Sequence, residues 1–63
     1  MNKATAIVEA RANGSYLVTR RTPREDGSIY EVYRAFNSYG EARTYALDHV
    51  QQDPERVITE GMV

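Results

Sequence analysis

Apolar and polar positions alternate through the first half of the chain and change to a helical spacing near residue 38. Residues 4–12 mix β-formers with small side chains and run into Asn13-Gly14, a pair that tolerates the positive φ of a two-residue type I′ turn. Ser15 to Thr22 follows as a second strand with Tyr16, Leu17, Val18 and Thr19 at its heart. A two-residue turn pairs Ala12 with Ser15, setting Glu9 opposite Val18 and Ala10 opposite Leu17. Ala6, Val8, Ala10, Leu17 and Thr19 then share the less charged face, which is the expected core side. Ile7, Glu9, Arg11, Tyr16, Val18 and Arg20 share the other. Side chains alternate with a period of two, so a one-residue slip would exchange the faces.

Pro23 to Ser28, centred on Asp26-Gly27, reads as a polar connection too long for a tight turn and expected to project and move. The third strand, Ile29 to Phe36, is apolar on both faces, with Tyr30, Val32 and Phe36 on one side and Ile29, Tyr33 and Ala35 on the other. Such a strand is central, or its outer face meets something. Ser38-Tyr39-Gly40-Glu41 then forms a capping box, the clearest start signal in the chain. From it Tyr39, Ala42, Ala46, His49 and Val50 fall on one helical stripe. Asp53-Pro54 is the expected stop, because the residue before proline avoids helical ψ. Val57-Ile58-Thr59 predicts a short final strand.

These elements predict a single α+β domain over residues 1–63, an antiparallel three- or four-stranded sheet with one helix packed on a face. The order is β-β-β-α, with a terminal β. At 63 residues the core is thin and stability modest. Cysteine is absent and His49 is the one histidine, so neither a disulfide nor a zinc site is expected. No apolar run approaches membrane-spanning length, and a cytoplasmic location is the default expectation. The net charge of −1 conceals a mild split. Residues 1–36 hold six basic against four acidic side chains, whereas residues 37–63 hold two against five.

Catalytic chemistry needs groups converging in a partly desolvated pocket. The carboxylates here are scattered singly, no serine sits in a G-x-S-x-G elbow, and no glycine loop could cradle phosphate. No enzymatic role and no cofactor are therefore expected. Two features point to binding instead. Arg20, Arg21, Arg24 and Arg34 should gather at one end of strands two and three, where arginine forks could pair with phosphates or carboxylates. Charged residues on a sheet edge that merely discourage aggregation are the plainer alternative. The chain also has five tyrosines against one Phe and no Trp. Tyrosine joins a large apolar body to a polar tip and is frequent at interfaces. Tyr39 and either Tyr30 or Tyr33 are core candidates. Tyr16, read as facing away from the helix, is a partner-binding candidate, with Tyr33 as an outsider.

Phe36, Ser38, Glu41 and Ala42, within the stretch FNSYGEARTYALDHV, match the strand-end and helix-start pattern F-x-T/S-x-x-E-A. Across about half the chain this resembles the arm-type DNA-binding domains of phage tyrosine recombinases. That resemblance implies a three-stranded sheet plus helix, and DNA binding through the sheet. In style the chain is also similar to small phage-encoded inhibitor proteins. The sequence pI near 5.7 and the acidic second half favour a protein partner over nucleic acid. The expected function is a non-enzymatic binding protein, phage- or mobile-element-encoded, that occupies a surface of a larger host protein. Tyr16, Arg20, Arg21, Arg24, Tyr33 and Arg34 are its expected contacts. A DNA-binding accessory factor is the alternative, and a free sheet edge leaves a homodimer open.

Overall fold

The computed structural model describes residues 3–61. Four strands and one helix follow in the order β1 (Thr5–Ala10), β2 (Tyr16–Pro23), β3 (Ile29–Phe36), α1 (Tyr39–His49) and β4 (Val57–Glu60). A single 3-10 turn, Pro54–Arg56, precedes β4. The spatial order is β3-β2-β1-β4. The first three strands form an antiparallel meander, and β4 pairs parallel to β1. The fold is therefore the expected α+β arrangement, with a mixed sheet in place of an all-antiparallel one. Passage through α1 returns the chain to the end from which β1 starts, so β4 enters in the same direction.

Both hairpins are built the same way. Arg11 N–H donates to the Ser15 carbonyl at 2.9 Å and Gly14 N–H to the Arg11 carbonyl at 3.1 Å. Arg24, Ser28 and Gly27 repeat this at 2.8 and 3.1 Å. Gly14 (φ 86°) and Gly27 (φ 92°) take the left-handed position of a three-residue loop with a glycine bulge. Asn13 Oδ1 accepts from the backbone N–H and hydroxyl of Ser15, and Asp26 Oδ1 does the same for Ser28. Pro23 to Ser28 is thus a tight turn, because the ladder continues out to the Pro23–Ile29 pair.

The first loop takes one more residue than a type I′ turn, and this corrects the register. Ala10 pairs with Tyr16 and Val8 with Val18. The β1 core face is as expected, with Ala6 and Val8 fully buried, but on β2 the faces are exchanged. Tyr16, Val18 and Arg20 lie beneath the helix, and Leu17, Thr19 and Arg21 line the open side.

Ala42, Ala46 and Val50 of α1 and its cap meet Ala6, Val8 and Val18 of the sheet, and all six are fully buried. Alanine at the contact lets the helix lie close to the strands. Tyr16, Phe36, Tyr39, Tyr45, Leu47 and Val57 close around this small core. Tyr16 packs edge-on against Tyr39, with centroids 5.9 Å apart. Tyr39 is a core residue as expected, whereas Tyr30 and Tyr33 are 50% and 60% exposed. The reason is that β3 is an edge strand and not a central one.

Ser38 caps α1, its Oγ accepting from the Glu41 N–H at 3.2 Å while its hydroxyl donates to Glu41 Oε1 at 3.1 Å. The serine half of the capping box thus forms, and the carboxylate is bound to the hydroxyl. The helix stops before Asp53-Pro54. Gln51 and Gln52 turn left-handed (φ 56° and 63°), and Gln52 N–H reaches back to the Leu47 carbonyl at 2.7 Å. Arg56 fastens this end, donating to the Val50 carbonyl at 2.7 Å, the Ala4 carbonyl at 3.4 Å and Asp53 Oδ2 at 3.1 Å.

Two predictions follow from this packing. Val18→Ala should cost about 2 kcal/mol by chemical denaturation, and Leu17→Ala clearly less, since only Val18 is sealed in the core. The reverse ranking would restore the two-residue turn. The two bonds from Ser28 hold the Asp26 carboxyl below its ordinary 3.8. A depressed folded-state value contributes stability above the unfolded value, lost as pH falls through the folded one. Acidification should therefore loosen the Arg24–Ser28 turn before the Arg11–Ser15 turn, whose Asn13 does not titrate. Amide exchange at Arg24 against Arg11 reads this directly.

Candidate functional site

The corrected register sorts the expected contact residues onto two surfaces. On the helix side, β3 runs past the width that α1 covers, and Arg20 and Arg34 emerge there beside Tyr45. The Arg20 guanidinium carbon lies 4.9 Å from the Tyr45 ring centroid. That of Arg34 lies 5.4 Å from Tyr45 and 5.3 Å from Phe36. Phe36 and Tyr45 are themselves 5.1 Å apart, so two rings and two guanidinium groups form one stack. Further along the same face, Arg24 sits 4.8 Å over the Tyr30 ring. Together these residues form an arginine-aromatic ledge along β2 and β3.

Position in the ladder explains the stack. Arg34 is cross-strand to Val18, and Arg20 to Val32. Tyr45 is a half-buried residue on the flank of α1, over the gap that the small core leaves at β3. A guanidinium held against an aromatic face gains cation-π attraction while its edge N–H groups stay available. Among the described residues the carboxylate ion pairs are those of Arg21 and Arg56, which leaves Arg20, Arg24 and Arg34 without one. Arg20 Nε is shielded from solvent and has no acceptor.

An open groove of about 560 Å³ adjoins the ledge between α1 and the β3 edge. Arg34 and Phe36 line its sheet side, with Glu41, Tyr45 and Asp48 on the helix side. It therefore offers both signs of charge to an occupant.

The other expected contacts lie elsewhere. Arg21 and Tyr33 are on the open face, where Arg21 Nε approaches Glu31 Oε2 at 2.9 Å. That approach is an ion pair without the alignment of a hydrogen bond. The Tyr33 hydroxyl donates to Glu31 Oε1 at 3.0 Å, and this bond with the adjacent negative charge raises the phenol above its ordinary value. Tyr16 is drawn into the core by the register change and is removed from the binding set on that ground. His49 Nε2 is 3.3 Å from the Arg21 carbonyl, placing the ring between helix end and sheet.

Phe36, Tyr45 and Tyr30 are the ledge residues that sequence reasoning missed. Tyr45 follows Arg34 and Phe36 by a connection and two helical turns, so no local pattern joins them. Tyr30 is one of two alternatives, with Tyr33, for a core position in the sequence reading, and the structure exposes both.

Across the open face, Tyr33, Thr19, Ile7 and Ile58 form one row through all four strands. Beside it run Ala35, Leu17, Glu9 and Glu60. Carboxylates thus punctuate this face, while the ledge carries positive charge. No described helix is long and apolar enough to cross a membrane.

No protein-family model, curated protein or solved structure matches the chain.

Proposed function

We propose that this chain is a small non-enzymatic binding protein that occupies an acidic surface of a larger protein, as an inhibitor or adaptor. One observation carries the reading: Arg20, Arg24 and Arg34 lie against aromatic rings on one side of the sheet with no carboxylate partner among the described residues. Surface arginines without such support lose rotamer freedom when they bind. Stacked ones are already placed, and each can fork onto a carboxylate in a charge-assisted pair. Tyr30 supplies exposed aromatic area at the same place, as interface anchors do. Arg21 is assigned to the opposite face, where its charge is largely met by Glu31.

Nucleic acid is the second reading, because stacked arginines also suit phosphates. A sheet laid face-on into a DNA groove would, however, bring Glu9, Glu31 and Glu60 towards the backbone. Acidic protein therefore fits the charge distribution better.

The test is capture of partners from host lysate, with and without nuclease, by the parent and by an Arg24→Glu/Arg34→Glu variant. Both side chains are exposed, so the variant should melt within a few degrees of the parent. A nuclease-resistant protein should be recovered by the parent, and its affinity for purified variant should fall at least tenfold, about 1.4 kcal/mol. Undiminished affinity removes the ledge from the interface. Recovery abolished by nuclease, with binding that falls steeply in salt, replaces the protein reading with nucleic acid.

A further inference from the structure

The two edges of the sheet are unlike. β4 is four residues long and begins directly after the Pro54–Arg56 turn. β3 is eight residues long and contains neither proline nor lysine, two of the usual means of discouraging edge pairing. Of the four large apolar or aromatic side chains that are half or more exposed among the described residues, Ile29, Tyr30 and Tyr33 are on β3.

Its free hydrogen-bonding groups can be assigned from the second hairpin. Arg24 and Ser28 close that hairpin as a bonded pair, and bonded pairs alternate along an antiparallel ladder. Tyr30, Val32, Arg34 and Phe36 therefore direct their N–H and C=O groups to β2. Those of Ile29, Glu31, Tyr33 and Ala35 point outward from the edge.

We propose that β3 pairs antiparallel with β3 of a second copy, about a two-fold axis at Val32, to give one continuous eight-stranded sheet. A two-fold axis perpendicular to a sheet requires each residue to face a partner on the same side, so the axis passes at a residue position. At Val32 every opposition is complementary. Glu31 faces Tyr33 of the second copy, pairing a carboxylate with a phenol. Tyr30 faces Arg34, repeating the ring-on-guanidinium contact already present within each ledge. Ile29 faces Ala35, an apolar pair on the open side. Bonded pairs fall at Glu31–Tyr33 and Ile29–Ala35, the residues whose groups point outward. Moving the axis to Tyr33 would instead set Arg34 against Val32 and Glu31 against Ala35, leaving both charges opposite apolar side chains. Self-complementarity about Val32 is what selects a second copy over a foreign strand. An edge contact of this size gives a dimer that dissociates on dilution and not an obligate one.

The chain contains no cysteine, so single-cysteine variants report the register cleanly. Val32 meets its own counterpart as a non-bonded pair, with Cα atoms about 4.5 Å apart, within disulfide reach. Sedimentation of the unmodified protein from low micromolar to near-millimolar concentration should show a shift from monomer to dimer. Under mild oxidation Val32→Cys should form a disulfide dimer far faster than Tyr33→Cys or the β4 control Ile58→Cys. A protein that stays monomeric throughout overturns the proposal. So does faster crosslinking of Tyr33→Cys, or equal crosslinking of Ile58→Cys.

Discussion

The left-handed conformation of Gly14 decides which residues of β2 the helix meets. Because that residue ends a three-residue loop, β2 is offset by one position from the two-residue register, and a one-position offset inverts a strand's faces. Val18 moves inside and Leu17 outside. Arg20 moves to the helix side and Arg21 to the open side. The core, the ledge and the open face all follow from this offset, and the second hairpin carries it on unchanged to β3.

A core of alanine and valine has a geometric consequence. Helix α1 can approach β1 and β2 closely, yet it is too narrow and too small in side chain to cover β3 as well. Tyr45 and Phe36 fill the flank, and Arg20 and Arg34 lie over them. Their aliphatic stems shield apolar surface while their heads stay charged, as long basic side chains commonly do. The ledge is therefore both the margin of the core and the proposed contact surface. Arg56 serves a different purpose: bound to two backbone carbonyls and to Asp53, it ties the helix end to the start of β1.

Much of the fold was legible because its signals are local. The capping-box pattern at Ser38–Glu41, the β-forming runs of β2 and β3 and the β-branched run at Val57–Thr59 each act over a few residues. The parallel pairing of β4 was not legible, since it depends on where α1 delivers the chain. The register was misread because Asn13-Gly14 fits two turn types. The distinguishing signal lay in the flanks, where Arg11-Ala12-Asn13-Gly14-Ser15 and Arg24-Glu25-Asp26-Gly27-Ser28 share the pattern Arg-x-Asn/Asp-Gly-Ser. In both, the Asn or Asp side chain is satisfied by the following serine, an arrangement suited to the bulged loop. Of the expected site residues, Arg20 and Arg34 meet at Tyr45, and Arg24 lies further along the same face. Arg21 and Tyr33 share the other face, and Tyr16 is core. That division could not be seen without the register, because adjacent arginines on a strand point in opposite directions.

The register itself is the most direct thing to measure. In the three-residue loop Val8 and Val18 form a non-bonded pair, whose α-protons lie closer than those of any bonded pair. A two-dimensional NMR spectrum of the protein should show a strong cross-peak between the α-protons of Val8 and Val18, and another between those of Ala10 and Tyr16. Strong peaks joining Glu9 to Val18 and Arg11 to Tyr16 would mean a two-residue turn. They would return Arg20 to the open face and dismantle the ledge.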